Sequence, residues 1–187
     1  DDGNIWGGEV FVASKEKYKR VNHFKYFKLL GSDMAIREPK RVALSLLFDN
    51  FTLEEVLNMQ TASVKAFKES EIRMLHTMWQ KGLNSPLTSS MGRLFDAVAS
   101  IADILHIQSY EGEAGLLIEQ HYDKAILESY TYEINEENID ISPMIKEMIL
   151  DIDSKVICSK FINTMVQIIL DISKSYEDLP VVLGGGV

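Results

Sequence analysis

Residues 85–115, SPLTSSMGRLFDAVASIADILHIQSYEGEAG, hold the most informative pattern in this 187-residue chain. Asn84-Ser85-Pro86 reads as a turn, and Thr88-Ser89-Ser90 offers hydroxyls that can accept from the free N–H groups opening a helix. Apolar side chains then recur at helical spacing: Met91, Leu94, Phe95, Val98, Ala99, Ile101, Ala102 and Leu105. Gly92 stands in the first turn, where the lack of a Cβ would let a ligand or another backbone come close. Asp96 lies one turn further, beside the apolar stripe. The helix is expected to end near His106, and Tyr110-Glu111-Gly112-Glu113 makes a second glycine-bearing turn before another helix. Two small-residue turns joined by a helix that carries a carboxylate could form one wall of a nucleotide site. The same features also serve structural turns, so pattern alone leaves both readings open.

Working outward, hydrophobic residues at 46% and charged residues at 25% are those of a globular domain, long enough for one good-sized unit or two small lobes. The net charge of −9 speaks against a nucleic-acid surface, and the local basic patch from Lys15 to Arg20 reads as a solvated hairpin. A single cysteine, Cys158, rules out an internal disulfide and fits a reducing cytoplasm. No uninterrupted apolar run reaches about 18 residues, so no membrane span is expected. The opening DDGNIWGGE is acidic and glycine-rich, the reverse of a basic leader. The start without Met, and the stop just after LPVVL enters Gly184-Gly185-Gly186, read as an excised fragment.

In chain order, residues 5–13 read as a glycine turn entering a strand, and residues 18–30 as a second strand, joined by the Lys-rich turn 15–19 into a β-hairpin. Pro39 opens a helix over residues 40–48, where its missing N–H costs nothing. Thr52-Leu53-Glu54-Glu55 is a capping box for a short helix to about Met59, and residues 63–81 read as one amphipathic helix. After the central stretch come a helix over 113–126, a strand over 129–134, a helix opened by Ser142-Pro143, and a long apolar helix over 156–176. Cys158 on its first turn reads as a small buried hydrophobe. Residues 179–183 read as a buried strand running into a phosphate-type glycine loop. The resulting class is α/β, predominantly helical, with an incomplete sheet.

The four histidines lie in separate elements without ligand spacing, and no Ser–His–Asp set or G-x-x-x-x-G-K-[ST] loop is legible. Glycine chemistry remains: Gly7-Gly8, Gly112 and Gly184 to Gly186 can bring bare backbone N–H groups to phosphate oxygens. Asp96 is available to accept from ribose hydroxyls.

The segments DDGNIWGGE, GSDMAIREPKRVAL, SPLTSSMGRLFDAVA, YEGEAGLLIE and PVVLGGGV resemble, in order and over nearly the whole chain, successive motifs of the HypF-type carbamoyltransferases. These are NiFe-hydrogenase maturation factors, and the likeness extends to the antibiotic O-carbamoyltransferases. It implies that residues 1–187 are a fragment of one carbamoyl-transfer domain of the actin-like ATPase (ASKHA) type. Within it, 1–30 would be the glycine turn and hairpin, 31–82 a helical segment, and 83–187 the nucleotide-site helix, helical lobe and terminal strand–glycine loop. In the related tRNA threonylcarbamoyl-transfer proteins, G-E-A-F-D-K-V-A and Y-P-G-G-P are similar to residues 92–99 and 110–114 here.

Carried over, the resemblance assigns ribose binding to Asp96, the adenosine pocket to Gly112 and Glu113, and phosphate approach to Gly184, Gly185 and Gly186. Glu113 replaces a glycine, which suggests a side-chain contact there. Arg37 is a candidate anion or carbamoyl contact, the alternative being an ion pair with an acidic neighbour. The resemblance further implies ATP with Mg²⁺, carbamoyl phosphate, a carbamoyl adenylate intermediate, and HypE as acceptor through its C-terminal cysteine. Ligands for the metal ion (zinc among the candidates) of the full domain, an H-x-x-x-H pair and a distant Asp, are not found here, and Ile162 stands where relatives often have His in F-H-N. A fragment of this kind is expected to be inactive alone, cytoplasmic, without nucleic-acid or membrane partners, and able to form a homodimer through uncovered apolar surface. The contrasting expectation is a helical interaction module that binds no nucleotide in isolation.

Overall fold

The computed structural model describes residues 2–185. Its strands are short because the segments with alternating pattern are short. β1 (Glu9–Ala13) and β2 (Tyr18–Phe24) form the expected antiparallel hairpin, closed where Ser14 N–H donates to the Lys17 carbonyl at 2.8 Å. A bulge between Val10 and Phe11 shifts the register. The second strand does not continue to residue 30. At Lys25 the chain leaves the first sheet, and β3 (Phe27–Lys28) pairs instead with β4 (Leu87–Thr88), immediately before the central helix. The larger sheet is completed by β5 (Glu133–Asn135) and β6 (Asn138–Asp140) in the order β1-β2-β6-β5, β6 running parallel to β2. The expected strand over 129–134 therefore begins only at Glu133. Residues before it are satisfied by side chains instead of a ladder: Tyr130 N–H donates to Thr164 Oγ1 at 2.8 Å and Thr131 N–H to Glu147 Oε2 at 3.1 Å.

Helices begin where the sequence supplies caps. After the short α1 (Asp33–Arg37), Pro39 opens α2 (Pro39–Asn50). Thr52 and Glu55 make the reciprocal capping box of α3 (Leu53–Asn58), at 3.3 and 2.7 Å. The amphipathic segment 63–81 is not one helix. It divides into α4 (Ala62–Lys65) and α5 (Glu69–Lys81), because the Glu71 carboxylate accepts from Lys68 N–H at 2.8 Å and starts a second helix there. The central stretch gives α6 (Met91–Ile101), which ends five residues before the expected His106, and Asp103, with φ 60°, then turns the chain. α7 (Glu113–Gln120) also stops early, and α8 (Ser142–Met148) follows its Ser-Pro start.

α9 (Ser154–Ser173), extended by a 3₁₀ turn over Lys174–Tyr176, is long and apolar enough to cross a membrane by length and composition. That qualifies the expectation drawn from uninterrupted runs. One face carries Ile157, Cys158, Phe161, Met165, Ile168 and Ile172 into the core, so it reads as a core helix. Residues 179–185 are exposed coil rather than a buried strand, and they pair with neither sheet. The expected class holds: mixed α/β, mostly helical, with small sheets.

α2 is buried on nearly every side through Val42, Ala43, Leu44, Leu46, Leu47 and Phe48, and α6 packs on it through Leu94, Ala97, Val98 and Ile101. Alanines on both helices let the axes approach. Phe161 joins α9 to this pair, fully buried and edge-on to Phe95 with centroids 4.9 Å apart. Phe161→Ala should lower the stability to urea by about 3–5 kcal/mol. Leu127→Ala, at a residue 83% exposed, should change it by less than about 0.5 kcal/mol.

Candidate functional site

The site is built where the first residues of the chain meet the start of α6. Residues 5–7 run beside 87–91: Ile5 N–H donates to the Leu87 carbonyl (2.9 Å), Ser89 N–H to Ile5 (3.0 Å) and Met91 N–H to Gly7 (3.1 Å). Thr88 Oγ1 accepts from Ser90 N–H at 3.0 Å and donates to the Ile5 carbonyl. Ser90 caps α6 by accepting from Arg93 N–H at 3.4 Å. Gly8 is required by this fit, because a Cβ there would lie 2.4 Å from the Ser89 carbonyl oxygen and 2.8 Å from Phe24. A Cβ on Gly7 would meet Ser90 Cα at 3.0 Å. This pair of glycines thus brings backbone onto backbone, not onto an open phosphate cradle. Gly92, by contrast, is exposed, with only Ser90 Oγ near its Cβ position, at 3.8 Å.

Asp96 is carried inward by α6 and is 2% exposed. Arg93, one turn earlier and also buried, places Nη1 2.8 Å from Asp96 Oδ2, yet neither atom completes a well-aligned hydrogen bond. Burial pushes the Asp96 carboxyl up to about 7, with Arg93 opposing and the Glu111 carboxylate reinforcing the rise. α7 packs on α6, and Gly112 stands at the N-terminus of α7. Gly112 holds φ +87°, and nothing lies within 4 Å of its Cβ position, so the turn is open. Glu113 is partly committed to its own turn: Oε2 accepts from Ser109 N–H at 2.5 Å.

Arg37 ends α1 against the same loop, its carbonyl accepting from Gln108 N–H at 3.0 Å while the Gln108 side chain donates to Ile36. The guanidinium is exposed. Its acidic neighbour Glu38 pairs with Arg41 at 2.6 Å, so Arg37 has no ion pair among the described residues. Gly184 and Gly185 are exposed with no atom within 4 Å of their Cβ positions, and the structure builds no phosphate loop from them. Gly186 lies outside the described residues. The metal implied by the resemblance does not fit what is here: among the described residues no group of three or more His, Cys, Asp or Glu side chains is placed to hold an ion.

Sequence spacing missed two features. Ser100 Oγ lies 2.9 Å from His106 Nδ1, and His106 Nε2 donates to Asp103 Oδ1 at 3.0 Å. This Ser–His–Asp chain resembles a hydrolytic triad, but Ser100 is fully buried and reaches no substrate. It fastens the end of α6 to the following loop. The second is Glu9, whose Oε2 accepts from Gly7 N–H (2.6 Å) and Gly8 N–H (2.9 Å) while Oε1 accepts from the Ser89 hydroxyl. A carboxylate directly after two glycines was the signal available for it. Cys158 is fully buried and its thiol is pushed up to about 12 by burial, as expected of a packed, unreactive side chain.

Comparison with known proteins identifies the family of the chain. A family described as "Carbamoyltransferase, Kae1-like Domain, second subdomain" matches residues 1–187. The carbamoyltransferase HypF of Synechocystis sp. PCC 6803 is 33% identical over 205 residues, covering 99% of this chain and 26% of that protein. A probable carbamoyltransferase HypF of Methanocaldococcus jannaschii is 35% identical, over 80% of this chain and 18% of its own length. A full-length HypF solved in its phosphate- and nucleotide-bound form superposes with a TM-score of 0.84 at 29% identity, over 95% of this chain and 24% of that one. HypF of T. kodakarensis gives a TM-score of 0.71 at 25% identity, over 84% and 22%. The chain thus spans about a quarter or less of the length of these proteins.

The buried Asp96 has a consequence for pH. Its folded value, about 7, lies above the ordinary 3.8, so between those values the unfolded chain releases the proton first. Stability should therefore fall as pH rises from about 4 to 7 and level off above, by an amount on the order of a few kcal/mol. Urea midpoints across this range should flatten in Asp96→Asn relative to the unaltered chain.

Proposed function

The chain belongs to the HypF carbamoyltransferase family, as the second subdomain of its Kae1-like domain, and from that premise we propose that it forms the adenosine-side wall of a carbamoyl-transfer site. In the intact protein, carbamoyl phosphate, ATP with Mg²⁺ and a water molecule yield a carbamoyl adenylate, with phosphate and pyrophosphate released. The C-terminal cysteine thiolate of HypE then attacks the carbamoyl carbon. A C–S bond forms, the C–O bond to the adenylate phosphate breaks, and AMP leaves with the electron pair. The cysteine is left as a thiocarbamate, the precursor of a hydrogenase cyanide ligand. The reaction belongs in the cytoplasm, where the acceptor thiol stays reduced.

The observation that carries this reading is a buried Asp96 on α6, packed against the helix α7 that opens at the uncrowded Gly112 turn, in a fold that superposes on a nucleotide-bound HypF. Asp96 is the acceptor for ribose hydroxyls, and its unsatisfied Oδ2 has capacity for such a bond once Arg93 shares it. Gly112 admits the nucleoside without a side chain in the way. The unpaired Arg37 guanidinium, tied through Gln108 to the loop that carries this turn, supplies a positive charge for the phosphate or carbamoyl end. The acceptor thiol comes from the partner, which leaves Cys158 without a chemical part. The reaction is chiefly one of positioning, an adenylate held so that a thiolate meets the face of its carbonyl.

Calorimetric titration of the intact protein with MgATP tests the reading. Asp96→Ala should weaken binding at least about tenfold, equivalent to 1.4 kcal/mol, and Arg37→Ala should weaken MgATP more than adenosine. Unchanged affinity in a folded Asp96→Ala protein would favour the contrasting description, a helical module whose exposed Leu150, Ile152 and Val166 serve contacts alone.

A further inference from the structure

Outside the predicted set, Glu9 is a charged side chain that ties the first residues of the chain to the start of α6. One carboxylate receives three donors from two segments 80 residues apart: two backbone N–H groups of the Gly7-Gly8 turn on Oε2, and the Ser89 hydroxyl on Oε1. No cation shares it among the described residues. The joint is also crowded: a Cβ on Gly8 would lie 2.4 Å from the Ser89 carbonyl oxygen, and one on Gly7 would press on Ser90 at 3.0 Å. Ser89 directly precedes the cap of α6, and α6 carries Arg93 and Asp96. A shift of the Gly7-Gly8 turn is therefore passed to the first turn of α6, and with it to the carboxylate that faces the ligand.

We propose that Glu9 is a positioning residue: its carboxylate locks the glycine turn to Ser89 and so fixes α6, with Asp96, in register for the nucleotide. This inference rests on the reading of α6 as a wall of the nucleotide site. The chemistry separates length from charge. A glutamine keeps the reach, its oxygen taking the two N–H groups and its amide donating to Ser89 Oγ. An aspartate keeps the charge but is one methylene short of bridging both sides. A residue that met the ligand's metal or phosphate through its charge would show the opposite order.

The test is a series of Glu9→Gln, Glu9→Asp and Glu9→Ala in the intact protein, read by MgATP affinity and by amide hydrogen exchange without nucleotide. Positioning predicts affinity near the original for Gln. It predicts a loss of about tenfold or more for Asp and Ala, the scale that a misplacement of about 1 Å produces. Exchange at the amides of residues 91–96 should quicken at least about tenfold in Ala while α9 is unchanged. Affinity retained by Asp and lost by Gln would overturn positioning in favour of a direct charge contact. Unchanged exchange at 91–96, or equal quickening throughout the chain, would overturn it in favour of no local role or a merely global one. If the unaltered protein fails to bind MgATP, the nucleotide reading falls and the role at that site falls with it. The exchange data would then still decide whether Glu9 locks α6.

Discussion

Everything about this subdomain depends on one helix meeting two incompatible demands. α6 must be apolar enough along its body to sit between α2, α7 and α9, yet its first turn must present polar groups to a neighbouring backbone. The demands are met end to end. Ser89 and Ser90 gather hydrogen bonds at the N-terminus, and Leu94, Ala97, Val98 and Ile101 fill the core behind them. Arg93 and Asp96 sit at the junction, where neither water nor the core can receive a lone charge. A buried ion pair at such a place contributes little net stability, but losing one partner would be costly. The pair is better understood as a fixed polar point in an apolar wall.

Much of this was legible because it is local. The capping box at Thr52, Pro39 and Ser142-Pro143 marked helix starts by rules that need only neighbouring residues, and the hairpin announced itself by alternation. Asp96 on its helix and the Gly112 turn were legible as local features for the same reason, while their proposed roles came only from the resemblance. What stayed hidden required partners distant in sequence or a choice between two local solutions. The break between α4 and α5 follows from Glu71 capping Lys68 in a stretch whose apolar period runs on across it. Residues 179–183 have a strand's composition but no strand beside them. Glu9 read only as part of a glycine turn entering a strand, and its bond to Ser89 joins residues far apart in the sequence. Ser100, His106 and Asp103 fall within seven residues, yet the left-handed turn at Asp103 that joins them leaves no periodic signal.

The stretch between α7 and β5 illustrates a different economy. It has little ladder of its own and borrows the polar side chains of α9: Ser159 accepts from Asp123 N–H, Asn163 donates to the carbonyls of Ile126 and Glu128, and Thr164 accepts from Tyr130 N–H. Lys160 lies over the Tyr130 ring and pairs with Asp151, which also receives the Tyr130 hydroxyl. A helix with one apolar face in the core thus spends part of its polar surface as a substitute for a missing strand. This explains why its composition alone resembles a membrane span while its environment does not.

The complete burial of Cys158 on that helix gives the molecule a clock of its own. A thiol reagent added in solution finds no other sulfhydryl in the chain, and it can reach this one only while α9 stands away from its neighbours. The rate at which that single sulfur is captured therefore counts the openings of the core.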